Sequence, residues 1–166
     1  MRTDKIYLVG FMGAGKSTVA RSLGQRLGWR VEDVDEAIEA RERASIVDIF
    51  ARLGEPYFRA AEREVLRGLL PARQVVVATG GGTFADPDNR ADILADGTAI
   101  WLDVPLPVAV ERVPPGGSRP LAADRASFEE LYWRRTQAYR LAHWRLDAAG
   151  VPVQELVERI LDWLGY

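Results

Sequence analysis

A chain of 166 residues with 48% hydrophobic content can bury one sizeable core and fits a single domain. Its formal charge of −2 removes the electrostatic case for a nucleic-acid or anionic-membrane partner, because such binding needs clustered Lys and Arg. The absence of cysteine excludes disulfides and thiolate catalysis and agrees with a reducing compartment. With no signal-type apolar segment ahead of the first strand and no run long enough to span a bilayer, a cytoplasmic, monomeric enzyme is the expectation.

In chain order, the first element is the apolar run Ile6 to Val9, suited to a buried strand. It leads into VGFMGAGKST, where Gly10, Gly15, Lys16 and Ser17 fill the pattern G-x-x-x-x-G-K-[ST]. A helix follows, with Val19, Ala20, Leu23 and Leu27 on one side. Glycines between a strand and a helix point backbone N–H groups and the positive end of a helix dipole into one concavity, where phosphate oxygens can sit. Lys16 then reaches the terminal phosphates and the Ser17 hydroxyl binds Mg²⁺.

A second strand near 30–34 enters VEDVDEAIE. Asp33 and Asp35, read as two residues apart on extended chain, point the same way, Asp33 toward a metal-bound water and Asp35 toward a substrate hydroxyl. A D-x-D at a helix entry also serves as a cap. The alternative place for a metal-supporting acid, the end of the strand near 74–79, reads VVVATGGG and carries none. Between these strands, Arg59 follows GEPYF on a helix where Phe50, Phe58 and Glu62 are placed to orient it.

Gly80, Gly81 and Gly82 end the VVVAT strand; three glycines cost backbone entropy, so they mark either close approach to a ligand or a wide turn before the helix start at Asp86-Pro87. A strand near 98–102 and a helix follow. Arg112 and Arg119 bracket VPPGGS, a flap of lid type, about 112–124, able to close over a transferring phosphate and deliver a cation. Arg135 lies on a later helix in RTQAY, with Arg140 as its alternative; paired N–H donors make Arg the preferred grip for a carboxylate. The lone His143 reads as packing or surface, and the five Trp residues as core and interface filler. A short strand near 144–148 and a helix from about 152 to 164 complete the chain. Apolar strands alternating with amphipathic helices imply an α/β three-layer sandwich: a mostly parallel five-stranded sheet flanked by helices, with ligands at the carboxyl ends of the strands.

GFMGAGKST, DVDEAIE, SIVDIFARLGEPYFRAAE, TGGG, the R-x-x-x-x-x-x-RPL of Arg112 to Leu121 and the R-x-x-x-Y of Arg135 to Tyr139 together resemble the shikimate kinase family in order and spacing. The resemblance implies a P-loop kinase fold with a mobile lid, substrate-binding helices at about 34–62, and transfer of the ATP γ-phosphate to the 3-hydroxyl of shikimate. It implies that Gly13, Ala14, Gly15, Lys16, Ser17 and Thr18 hold the ATP phosphates, with Ser17 and Asp33 serving Mg²⁺. By the same resemblance Asp35 holds or deprotonates the acceptor hydroxyl. Arg59 and Arg135 grip its carboxylate beside Gly81 and Gly82, Arg119 comes from the lid to the phosphates, and Arg112 lies against the adenine. In DAAGVPV, where the family often carries an Arg, this chain has none, so base contacts there are apolar or main-chain. A P-loop kinase for another small acid such as gluconate, and a nucleotide-binding switch, are the rival readings.

Overall fold

The computed structural model describes residues 3–113 and 124–166. Arg119 and the flap segment 114–123 lie outside the described residues. Five strands, β1 (Lys5–Val9), β2 (Arg30–Asp33), β3 (Val75–Ala78), β4 (Thr98–Asp103) and β5 (Trp144–Asp147), form one parallel sheet in the order β2-β3-β1-β4-β5. Among the described residues the helices are α1 (Lys16–Leu27), α2 (Val34–Glu42), α3 (Ile46–Leu69), α4 (Pro87–Asp96), α5 (Leu106–Arg112), α6 (Arg125–Tyr139) and α7 (Val153–Leu164).

The strands β1 and β3 are apolar along nearly their whole length because both faces are covered; every residue of each is buried. The edge strands β2 and β5 carry Arg30, Glu32, Arg145 and Asp147 instead, which keeps their open sides polar. From β1 the chain crosses to β2 on one side, and from β3 it crosses to β4 on the other. Strand order therefore reverses around β1, and the crevice at the carboxyl end of that strand is where ligands collect in open α/β sheets. The loop of residues 10–15 occupies it.

The helix starts follow the sequence chemistry. Ser45 caps α3 by accepting from the Asp48 amide, Asp86 caps α4 from Asp88 and Asn89, and Asp124 caps α6 from Ser127. Helix α3 is broken at Gly54, whose φ of 81° and ψ of 169° are not helical, and Pro56 opens the second segment. That segment carries Phe58, Arg59 and Glu62 on its inward side.

At the opposite, amino end of the sheet, the fully buried Lys5 ammonium donates to the carbonyls of Leu69 (2.5 Å) and Leu70 (3.2 Å) and pairs with Asp96 at 2.5 Å. The Tyr7 hydroxyl donates to the same carboxylate at 2.6 Å. A charge this deep is tolerated only because its donors are satisfied.

His143 serves the sheet. Its Nδ1 accepts the Ala99 amide at 3.0 Å, one residue before β5 begins, and so extends the β4–β5 ladder. Of the tryptophans, Trp101 is in the core and Trp144 stacks on Trp163 at 4.7 Å. Trp133 stands more than half exposed on α6, edge-on to Tyr132. Among the described residues no helix is long and apolar enough to cross a membrane.

Candidate active site

The loop between β1 and α1 is built by close approach. Gly10 has φ of 146°, and a Cβ there would lie 2.6 Å from the Leu102 carbonyl of β4, so no side chain fits. Gly15 precedes α1 without a side-chain cap, and the first amides of that helix face the loop concavity. Lys16 folds back over the loop and is buried; its Nζ donates to the carbonyls of Gly10 at 2.7 Å and Phe11 at 3.0 Å. Ala14 is buried and Thr18 is exposed on the first helical turn. Arg112, the last residue of α5, donates from Nη1 to the Gly13 carbonyl at 3.0 Å, which brings a second cation to the loop.

The structure corrects the reading of Asp33 and Asp35 as neighbours on extended chain. Strand β2 ends at Asp33, which becomes the N-cap of α2, and Asp35 sits in that helix's first turn. Helical rotation separates the two side chains. Asp33 Oδ1 accepts the Glu36 amide at 3.1 Å while Oδ2 accepts the Ser17 hydroxyl at 2.5 Å, so one carboxylate both caps the helix and reaches the phosphate loop.

Asp35 points instead to the glycine run after β3, where three polar side chains share one floor. A Cβ at Gly80 would lie 2.7 Å from Asp35 Oδ1, one at Gly81 2.9 Å from Arg135 Nη1, and one at Gly82 2.5 Å from Arg59 Nη1. None of the three glycines has positive φ, so what they supply is room. Each admits a different functional group.

Arg59 is oriented by the neighbours the sequence pointed to. Nη1 donates to Glu62 Oε1 at 3.0 Å, Nε donates to Glu55 at 3.4 Å, and the guanidinium stands 5.2 Å from the centre of the Phe58 ring, itself 4.9 Å from Phe50. Glu62 is 1% exposed and its other oxygen accepts the Thr83 hydroxyl at 2.9 Å. Burial pushes the Glu62 carboxyl above the ordinary glutamate value, with the Arg59 charge and these hydrogen bonds pulling the other way. Arg135 is also buried, and burial depresses its pKa, with the nearby Arg59 charge adding to the effect. Two guanidiniums thus face one another's field.

Arg140 is placed elsewhere: it is the exposed C-cap of α6, and its Nη1 donates to the side chain of its neighbour Gln137 at 3.4 Å. Arg135, not Arg140, joins the glycine floor. Sequence reasoning missed Thr83, which no local pattern marks. It also gave Tyr139 no contact, although the i,i+4 spacing from Arg135 places both on one helix face. The Tyr139 hydroxyl donates to the Gly81 carbonyl at 2.5 Å. Beyond Arg59 and Arg135 a cleft of about 580 Å³ continues past Ser127, Glu130 and Arg134.

A family model described as shikimate kinase matches residues 12–165. The chain is 42% identical over 157 residues to a shikimate kinase of Persephonella marina, covering 94% of this chain and 96% of that one. It is 48% identical over 162 residues to a shikimate kinase of Paramagnetospirillum magneticum, covering 96% and 83%. Among solved structures it resembles a shikimate kinase from Acinetobacter baumannii in complex with shikimate, with a TM-score of 0.93 and 34% identity over 97% of this chain and 92% of that one.

Proposed function

We propose that this chain, which belongs to the shikimate kinase family, transfers the γ-phosphoryl group of ATP to the 3-hydroxyl of shikimate, giving shikimate 3-phosphate and ADP on the way to chorismate and the aromatic amino acids. The observation that carries this reading is the shared floor: one carboxylate, Asp35, and two guanidiniums, Arg59 and Arg135, converge on Gly80–Gly82 beside a phosphate loop. That set matches an acceptor with hydroxyls at one end and a carboxylate at the other.

Phosphoryl transfer asks for alignment and charge neutralisation more than for covalent chemistry. Lys16 is held by two neutral carbonyls, and phosphate oxygens replace these with charge-assisted bonds, which are roughly twice as strong. Arg59 and Arg135 take the shikimate carboxylate between them; a shared anion offsets the burial and, secondarily, the Arg59 repulsion that depress the Arg135 pKa. Asp35 accepts the 3-hydroxyl proton or its hydrogen bond as O3 bonds to the γ-phosphorus and the electron pair of the breaking P–O bond leaves with ADP. Gly13 to Thr18 cradle the phosphates, Arg112 lies toward the base, and Arg119, outside the described residues, brings a further cation.

The donor set also fits Mg²⁺. Among the described residues there is no cluster of three or more His, Cys, Asp or Glu able to form an all-protein cage. A hydroxyl and one carboxylate, Ser17 and Asp33, stand together instead. Mg²⁺ keeps several waters and takes few protein oxygens alongside phosphates, which suits such a pair. When bound, the ion neutralises charge on the phosphates; Ser17 and Asp33 are the residues to hold it.

ADP release by the purified protein, with ATP and Mg²⁺, tests the reading. Rapid release with shikimate and none with gluconate is the expected outcome. Turnover indifferent to shikimate would leave a nucleotide site and overturn the acceptor assignment.

A further inference from the structure

We infer that Tyr139 is a positioning residue for acceptor binding, acting through Gly81 and Arg135; the inference rests on the proposed role of Arg135 as a carboxylate partner. Tyr139 closes α6 and its side chain is 1% exposed. Its ring stands 6.0 Å from Trp101 of β4, and its hydroxyl donates to the Gly81 carbonyl at 2.5 Å. The Arg135 charge acts on the phenol, and Arg135 Nη1 and the Tyr139 hydroxyl both border the space that a Cβ on Gly81 would enter, at 2.9 Å and 3.9 Å.

The Tyr139 hydrogen goes to the Gly81 carbonyl, which leaves the lone pairs of the phenol oxygen beside the Arg135 guanidinium. A phenylalanine would fill the same space and leave the Gly81 carbonyl without this donor, so the hydroxyl is there for its polar contacts and not for its volume.

Two things follow for the site. The Arg135 guanidinium is buried at a cost, and a hydroxyl beside it fixes which of its N–H groups remain for a ligand. The Gly81 carbonyl and the Gly82 amide belong to one planar trans peptide and point in opposite directions. Turning the carbonyl toward Tyr139 aims the Gly82 amide away from it, and Gly82 is the glycine that admits Arg59. One hydroxyl therefore sets Arg135 directly and the glycine floor that Arg59 rests on. Of the phosphate loop, the Met12 amide nitrogen borders the same space at 3.6 Å, while Gly13 to Thr18, the residues assigned to the phosphates, are not among the atoms nearest to it, so the change is expected to fall on acceptor binding and not on nucleotide binding.

The test is Tyr139→Phe, alone and combined with Arg135→Lys, assayed for the KM of shikimate, the KM of ATP and thermal midpoint. The expected result is a rise of about tenfold in the KM of shikimate, the size of losing one hydrogen bond to a charged group, with the KM of ATP unchanged. Adding Tyr139→Phe to Arg135→Lys should then raise it little further, since the hydroxyl acts through that arginine. An unchanged KM of shikimate in Tyr139→Phe, with a raised one in Arg135→Lys, overturns the inference and leaves the clamp standing. An unchanged value in Arg135→Lys overturns the clamp reading and, with it, this route. Parallel rises in both KM values with a lowered melting point would make Tyr139 a packing residue and also overturn it.

Discussion

Gly82 is a glycine because of Arg59: a methyl group at position 82 would lie 2.5 Å from Nη1 and 2.6 Å from Nη2 of that arginine. The clash is with the far end of a flexible side chain, so Gly82→Ala displaces the guanidinium and leaves the fold intact. The KM of shikimate should rise about tenfold or more, on the scale of a lost hydrogen bond to a charged group. The melting temperature and the KM of ATP should hold. Gly10→Ala is the contrasting control, because there the methyl meets the Leu102 carbonyl of the backbone at 2.6 Å and φ is 146°. It should lower the melting temperature, and a Gly82→Ala protein equally destabilised would show that the third glycine serves the turn instead.

Lys16 is the residue whose loss should fall on rate. In Lys16→Met the buried alkyl stem keeps its packing, while the ammonium that bridges Gly10 and Phe11 is gone. Arginine fingers, which supply comparable charge to transferring phosphates, contribute about 10³-fold or more, and a kcat loss of that order is expected here. An ADP-release assay at saturating shikimate measures it; a loss confined to the KM of ATP would reduce Lys16 to a binding group.

Glu62 makes acceptor binding depend on pH. Burial raises its folded value above the ordinary 4.5, so protonation favours the folded state. Its contribution to stability therefore grows as pH falls through the raised value toward 4.5 and is lost as pH rises back through it. The same protonation removes the negative partner of Arg59, 3.0 Å away, and frees that guanidinium from its set position. Acidification across this window should thus weaken shikimate binding while this group adds stability, and Glu62→Gln should flatten both trends. Titration of the KM of shikimate against pH, beside melts at the same pH values, tests the opposed signs.

How much of this was legible in the sequence depends on whether the signal was local. The phosphate loop was, because Gly10, Gly15, Lys16 and Ser17 have to be adjacent to make a strand, a tight loop and a helix start. The sheet was too, since β1 and β3 are buried on both faces and read as apolar runs. Asp33 and Asp35 were misplaced because a period of two holds only while the chain stays extended, and Asp33 ends its strand by capping α2. The glycine run announced a site without showing its occupants: Asp35, Arg59 and Arg135 come from three separate helices, and only the packed fold puts one against each glycine. Thr83 and Tyr139 act through one hydrogen bond each, and their residue types carry no periodic signal.

His143 belongs to stability and not to chemistry. Its Nδ1 is the acceptor for the Ala99 amide, and Ala99 is fully buried. His143→Phe leaves that amide unpaired, at a cost of about 1–3 kcal/mol. For a chain of this size each kcal/mol lowers the melting temperature by about 2–4 °C. Calorimetry should show that fall with kcat and both KM values unchanged, whereas lost activity at a temperature where the variant is folded would assign the histidine a role in the site.

Asp35 poses the question of proton transfer. It stands in the first turn of α2 with Oδ1 against Gly80, a placement set by the helix and by the missing side chain opposite. The loose transition state of phosphoryl transfer leaves the nucleophile's proton in place until late, so little is asked of a base and much of a group that aims the hydroxyl. Asn keeps the oxygen that accepts a hydrogen bond, and Ala does not. Asp35→Asn should therefore retain clearly more kcat than Asp35→Ala, with the KM of shikimate raised in both. Equal loss in the two variants would mean that the carboxylate must take the proton, and the hydroxyl would then be activated and not merely aimed.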